Sequence, residues 1–323
     1  MIRLGDASSG ALSDGSRGRL VAAGSWDSGH ALDHLIWIAR SKPLPLQRLI
    51  LCAFRLGSFG REHTVVVLRS DRRWPRSIGG SVSTRTALIT GGTSGIGLAS
   101  ALLLSQQGYQ VIVTGQDPSR LDSARRELPD DVLVLSADAR SLAAADRVAD
   151  TIRERFGTLD VLVLNAGITR LQPVELVDEA TFDDLVDVNF KGQFFTLQSA
   201  LPLVPDGGSI IFTVGIGPTS GVRGGAVTAA TRGALLSLMP SLALELAPRQ
   251  IRVNAVSPGG IATPMWASSA VPDEVRQATM ASIPFGRFGT PPEAAAVIAF
   301  LASDAASYVT GQNIIVAGGR GMG

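Results

Sequence analysis

The stretch Thr86-Ala87-Leu88-Ile89-Thr90-Gly91-Gly92-Thr93-Ser94-Gly95-Ile96-Gly97 constrains this chain more than any other. A short run suited to a buried strand enters a glycine-rich turn, and an apolar stretch at helical spacing follows to about residue 107. Gly91 permits the tight turn. Gly95 lets backbone approach a pyrophosphate, and Gly97 lets the helix pack on the strand. The helix start then offers free N–H groups and the positive end of a dipole to a phosphate. A purely structural turn is the competing reading, and the rest of the chain weighs against it.

Further short apolar segments follow at 110–114, 132–136, 160–165, 209–214, 252–256 and 313–316, with helical stretches between them. Strands alternating with helices of ten or more residues mean parallel βαβ units. Right-handed crossovers then predict an α/β fold: a single Rossmann-type doubly wound parallel sheet, with helices on both faces, over residues 85–323.

Residues 1–84 read differently, as an irregular, poorly ordered basic extension. Gly, Ser and Arg are scattered there without period. An apolar patch over 31–59 is suited to a helix or two, though Arg40, Lys42, Pro43 and Pro45 interrupt it. Upstream sequence attached by a wrong start site is a second reading. A basic targeting or membrane-surface segment is a third, and Asp6, Asp14, Asp27 and Asp33 weigh against it.

Charge divides along the same line. Residues 1–85 hold 13 of the 29 Lys and Arg against 6 of the 28 Asp and Glu, about +7, and the remainder is about −6. An acidic main domain argues against a nucleic-acid partner. The single cysteine, Cys52, suits a reducing compartment, and a cytoplasmic location is expected. His30, His34, His63 and Cys52 have no metal-ligand spacing, so no metal is expected. No uninterrupted run reaches 18 apolar residues, so no membrane span is expected.

Four motifs in this order, Thr90-Gly91-Gly92-Thr93-Ser94-Gly95-Ile96-Gly97, Asn165-Ala166-Gly167, Asn189 and Pro258-Gly259-Gly260-Ile261-Ala262-Thr263, resemble the short-chain dehydrogenase/reductase family over roughly residues 85–319. The resemblance implies an NAD(P)(H)-binding oxidoreductase. It implies that Thr90, Gly91, Ser94, Gly95, Ile96 and Gly97 hold the cofactor phosphates. Asp138 would contact the adenine ring, with a strand-end cap as its plainer role. Asn165, Ala166 and Gly167 would line the cofactor, and Pro258, Gly259, Ile261 and Thr263 would meet its nicotinamide side. NAD-preferring relatives carry an acid where this chain has Gly115. Gln116 stands where NADP-preferring relatives often carry a base, and Asp117 is placed to cap the helix from Pro118. The balance favours NADP over NAD.

The family's Tyr-x-x-x-Lys pair is missing. Register set by the strand at 209–214 and by Gly233-Ala234-Leu235 puts Thr228 at the Tyr position, Arg232 at the Lys position and Gly215 at the family's Ser position. Asn189 keeps the fourth place, where it would position a water. Thr213 is expected to point its hydroxyl to the other face of its strand. A Thr hydroxyl is a poor acid near neutral pH and Arg stays protonated, although Arg232 could still grip ribose hydroxyls or a phosphate. Residues 85–323 contain no His or Cys. Their tyrosines, Tyr109 and Tyr308, sit at structural places, and their sole lysine, Lys191, reads as a solvated helix residue.

Two functions stand. One is an oxidoreductase with a degenerate tetrad, reducing an activated acceptor such as an iminium, quinone or enone that needs no Tyr acid. The other is a catalytically silent cofactor-binding sensor or partner subunit, with a third, weaker option of a non-redox enzyme in the old pocket. The apolar face Ala234, Leu235, Leu238, Leu242 and Leu246 serves core packing or a homodimer or homotetramer interface. Met265, Trp266, Val271, Met280, Ile283 and Phe285 predict an apolar, mobile lid over a hydrophobic small molecule.

Overall fold

The computed structural model describes residues 2–3, 21–23, 49–56, 63–70, 84–267 and 273–321. The chain divides into two compact units, Met1–Val82 and Ser83–Gly323.

In the first unit, β1 (Ile2–Arg3), β2 (Val21–Ala23), β3 (Leu49–Leu56) and β4 (His63–Ser70) form one sheet in the order β1-β2-β4-β3. β3 and β4 pair antiparallel over their full length, from Leu49 opposite Ser70 to Leu56 opposite His63. The helix expected across 31–59 is thus a strand over its described part. A short apolar run without alternation fits helix or strand equally, and here the β-branched stretch Thr64-Val65-Val66-Val67 supplies a partner for it. The irregular stretches expected around these strands, with His30 and His34, lie outside the described residues.

The second unit holds seven strands: β5 (Thr86–Ile89), β6 (Gln110–Gly115), β7 (Leu133–Ser136), β8 (Val161–Leu164), β9 (Ser209–Thr213), β10 (Arg252–Pro258) and β11 (Asn313–Val316). Their order is β11-β10-β9-β8-β5-β6-β7, and every neighbouring pair is parallel. All seven expected strands are present within a residue or two. The helices are α1 (Gly95–Gln106), α2 (Pro118–Glu127), α3 (Leu142–Arg155), α4 (Glu179–Val186), α5 (Gly192–Ala200), α6 (Gly217–Ser220), α7 (Ala226–Leu246), α8 (Pro264–Ala267), α9 (Asp273–Ala281) and α10 (Pro291–Ala302).

The period-two alternation of the strands divides the core between two faces. Leu88 and Ile112 join Val148, Ile152, Leu197, Leu235 and Leu242 beneath α3, α5 and α7. Their strand neighbours Ala87, Ile89, Val111 and Val113 join Ala101, Leu104, Ile298 and Leu301 beneath α1, α2 and α10. This is the doubly wound Rossmann-type sheet. The strand order reverses direction between β5 and β8, and the carboxyl ends of these strands part there to leave a crevice.

The segment Ala226–Arg249 is long and apolar enough to cross a membrane by length and composition, with a mean hydropathy of 1.3. The hydropathy is an average over a window and not an unbroken apolar run, so it is weak evidence for a span. Its Leu235, Met239, Leu242, Ala243 and Leu246 are buried in the core, which accounts for the apolar composition. Of the expected apolar face, Ala234 and Leu238 are only half-buried, while Leu244 on the same helix is exposed.

Candidate active site

The crevice is a cleft of about 570 Å³. Its phosphate end is built by glycine. Gly91 and Gly95 have φ of +62° and +56°, values that a side chain disfavours. A Cβ on Gly91 would stand 2.9 Å from the Ala166 Cα, and one on Gly97 would collide with the Gly91 carbonyl. Asn165 and Thr90 hold the turn in place. The Thr90 hydroxyl accepts from the Asn165 and Ala166 N–H groups at 2.9 and 3.0 Å, and Asn165 Nδ2 donates to the carbonyls of Thr90 and Gly91 at 3.0 and 3.1 Å. Gln193, unremarked in the sequence, donates to the Ala166 carbonyl at 2.6 Å. The α1 N-cap, Ser94, makes no side-chain cap bond, and Leu98 N–H to the Ser94 carbonyl is the first bond of the helix. The first-turn N–H groups, beside Ser94, Gly95 and Ile96 on the cleft wall, are therefore available to an anion. The glycine cradle and these donors fit the pyrophosphate of a dinucleotide.

At the β6–β7 end, Asp117 accepts from Arg120 N–H at 3.0 Å and from the Ser119 hydroxyl at 2.6 Å, so its carboxylate caps α2. The Ser119 hydroxyl, followed by the Arg120 N–H, holds it below the usual carboxylate range. Burial alone would raise the Asp138 carboxyl, but hydrogen bonds from Arg140 outweigh that and lower it. Arg140 reaches Asp138 at 2.9 Å, Gln116 Oε1 at 3.0 Å and Asp184 at 3.1 Å. Arg140 thus engages both oxygens of Asp138, while both bonds to Asp117 fall on its Oδ1. Arg120 and Gln116 line this end of the cleft beside them.

At the other end stand the residues that replace the family's catalytic set. Gly215, Thr228 and Arg232 all line the cleft, with Gly167, Pro258, Gly259, Ile261 and Thr263 around them. The Thr228 hydroxyl is committed to backbone: it donates to the Arg170 carbonyl at 3.0 Å and accepts from the Arg170 N–H at 3.3 Å. Gly215 has φ of +87°, a conformation in which serine would be strained. Arg232 Nη1 donates to the Thr213 carbonyl at 2.9 Å. Its guanidinium is enclosed, although the residue keeps some surface along the cleft, and no ion pair joins it among the described residues. Burial pushes it down to about 10 from its ordinary 12.5. A Cβ on Gly167 would collide with this guanidinium, so the end of the arginine side chain would have to shift if a side chain stood there.

Asn189 lies behind the cleft wall, fully buried on a π-helical turn, Asp187–Lys191. Its Oδ1 accepts from Ile168 N–H at 2.9 Å, and its Nδ2 donates to the Ile168 carbonyl at 3.1 Å and to the Thr231 hydroxyl at 3.2 Å. The side chain therefore ties the loop after β8 to α7. Thr213 corrects the sequence reading. It lies two positions before Gly215, so the alternation puts both on one side. It lines the cleft, buried, with its Oγ1 lacking a hydrogen-bond partner. Tyr109 is buried elsewhere, donating to the Ala302 carbonyl at 3.3 Å. Tyr308 is exposed, and Lys191 pairs with Asp187 at 3.0 Å. Among the described residues, the titratable groups on the cleft wall are Asp117, Asp138 and four arginines, Arg120, Arg170, Arg232 and Arg320.

Of the expected lid, Met265 and Trp266 line the cleft, and the Thr169 hydroxyl bonds Met265 Sδ at 3.3 Å across its mouth. Trp266 packs on Phe288 with ring centroids 5.5 Å apart. Ile283 is buried away from the cleft and Met280 and Phe285 face outward, while Val271 lies outside the described residues. The apolar run thus divides between lid, core and surface, because it spans three pieces of backbone: Met265 and Trp266 lie on α8, Met280 on α9, and Ile283 and Phe285 after α9.

Comparison with known proteins gives concordant matches. The family model for enoyl-(acyl carrier protein) reductase matches residues 91–320. The chain is 40% identical over 242 residues to a 3-oxoacyl-(acyl-carrier-protein) reductase of Thermotoga maritima, covering 73% of this chain and 97% of that protein. Among solved structures, a short-chain dehydrogenase/reductase (glucose/ribitol dehydrogenase) from Brucella melitensis matches at a TM-score of 0.69 and 37% identity, over 73% of this chain and 96% of that one. A 3-ketoacyl-(acyl-carrier-protein) reductase from the same organism, complexed with NADH, matches at a TM-score of 0.69 and 31% identity, over 75% and 100%.

Proposed function

This chain belongs to the short-chain dehydrogenase/reductase family, and on that premise we propose that it is an NAD(P)(H)-dependent oxidoreductase of an activated acceptor. The glycine cradle, the free N–H groups of α1 and the likeness to an NADH-bound relative support a nicotinamide dinucleotide in the cleft. Arg120 on the cleft wall beside Gln116, with the Asp138 carboxylate engaged by Arg140, favours a 2′-phosphate and hence NADP.

The observation that carries the reading is the exchange of a proton donor for a fixed charge. Thr228 spends its hydroxyl on backbone, and Arg232 holds an enclosed positive charge in the cleft. When bound, the nicotinamide supplies or accepts the hydride. Arg232 then meets negative charge on an enone or quinone, and among the described residues of the wall nearby none is an acid that delivers a proton to oxygen. Reducing an ordinary ketone leaves a strongly basic alkoxide that needs such a proton. An enone or quinone gives an enolate or phenolate that Arg232 can hold until water protonates it, and an iminium gives a neutral amine that needs no proton; the likeness to the enoyl reductase family model favours the enone. Trp266 and Met265 provide an apolar wall for a hydrophobic small molecule.

Oxidation of NADPH against a panel of enone, quinone, iminium and 3-oxoacyl thioester tests this. Turnover confined to the first three is expected. Tight NADPH binding with no turnover on any of them would refute the reading and leave the silent sensor or partner subunit, which the positive φ of Gly215 favours as a second reading. A cytoplasmic homodimer or homotetramer is part of the proposal, with the exposed Leu244 of α7 available to a subunit contact.

A further inference from the structure

The cleft carries more positive charge than a neutral substrate needs. On its β8–β10 side stand Arg170, Arg232 and Arg320, while the two acids on the wall, Asp117 and Asp138, follow β6 and β7 at the other end. Arg170 is partly spent on Asp184, at 3.4 Å. Arg320 and Arg232 have no carboxylate partner among the described residues, and burial pushes the guanidinium of each below its ordinary value. Enclosing a cation without an anion is costly, and a fold that only needed to fill this volume would use an apolar side chain. Thr213, whose carbonyl Arg232 bonds, is only 6% exposed, and its hydroxyl has no hydrogen-bond partner among the described residues. The residue that anchors the unpaired guanidinium thus carries a buried donor that also lacks an acceptor.

We infer that Arg232 and Thr213 form an oxyanion site for a small organic anion of the enolate or phenolate class, carried by or developed on the substrate. Arg232 Nη1 is anchored by the Thr213 carbonyl, which holds the guanidinium against Gly167 and leaves its other N–H groups to the ligand. The anchor also fixes the guanidinium to the residue whose hydroxyl is the second donor. Preorganised donors in an enclosed site favour an anion over its conjugate acid, because they need not reorient to meet the charge. The inference rests on this side of the cleft being the substrate end, but not on hydride transfer.

The probe is 4-nitrophenol, whose anion absorbs in the visible, titrated with pH in the presence and absence of the full chain. The site is expected to bind phenolate, so the bound dye ionises at least about one pH unit below the free dye, a tenfold preference for the anion. Arg232→Met should abolish the shift, Arg232→Lys should keep part of it, and Thr213→Val should reduce it without removing charge. Circular dichroism of each variant shows whether it is folded, and Thr213→Val, nearly isosteric, carries the test if Arg232→Met is not. An unchanged or raised ionisation of the bound dye overturns the inference. So does full displacement of the dye by saturating NADP+, which would assign the guanidinium to the cofactor. A positive shift without any NADPH turnover would sustain the site while refuting the proposed reductase activity.

Discussion

Replacing Arg232 by methionine should make the protein more stable. Burial alone pushes the guanidinium well below its ordinary value, to about 10. That depression is worth about 3 kcal/mol against the charged form in the folded state. The sign follows from linkage. A base with a lowered folded value binds its proton less readily when folded, so it opposes folding in full below pH 10. The penalty fades as pH rises above 10 towards the guanidinium's ordinary value. Methionine fills similar volume, removes this penalty and leaves the Thr213 carbonyl without its donor, which costs about 1 kcal/mol. The net gain at pH 7 is about 2 kcal/mol. For a domain of this size that raises Tm by roughly 4–8 °C. Differential scanning calorimetry of the two proteins at pH 7, without cofactor, checks it. A Tm lowered by the substitution would refute the reasoning, since it would mean that the guanidinium holds the fold together and that its enclosure has a structural cause.

Other sites give further expectations. Gly97→Ala drives a methyl group into the Gly91 carbonyl and should weaken NADPH binding more than tenfold in a fluorescence titration, with unchanged affinity counting against the cradle. Arg120→Ala should cost about tenfold in NADP+ affinity by calorimetry and leave NAD+ nearly unaffected; equal losses for both would remove Arg120 from a 2′-phosphate site. Glu293 is held down to about 2, first by its bond from Arg287 and then by the Thr290 N–H of the α10 capping box. Its stabilising effect is present above the ordinary 4.5 and lost as pH falls towards 2, so the Tm deficit of Glu293→Gln should be visible at pH 7 and close between pH 4.5 and 2. Thr228→Tyr with Arg232→Lys should raise 3-oxoacyl thioester reduction from its background. Adding Gly215→Ser should give no more and lower Tm, because φ of +87° there costs a side chain about 1–2 kcal/mol.

The parts of this protein set by local periodicity were legible in its sequence. The seven strands of the main unit, their alternation with helices and the glycine turn follow from patterns of two and 3.6 residues, and packing did not override them. Asp117 illustrates the same point at one residue, since Pro118 after an acid already reads as a helix start. β3 was not legible, because an apolar octet has no period of its own and takes its form from the partner it meets. At the site, residue identity was readable but commitment was not. Asn189 and Thr228 were singled out as chemical groups, yet each hydroxyl or amide is consumed by a backbone 21 or 58 positions away in the chain. Thr213 was misplaced by one position of strand register, and Arg120 and Arg320 went unnoticed because three-dimensional convergence alone brings them to the cleft. These differences change what the replacement at Arg232 means. Read as sequence, it is a lysine-like cation beside a missing tyrosine. In the fold it is a cation anchored on the Thr213 carbonyl, in a cleft it shares with Gly215, whose backbone would strain the family's serine.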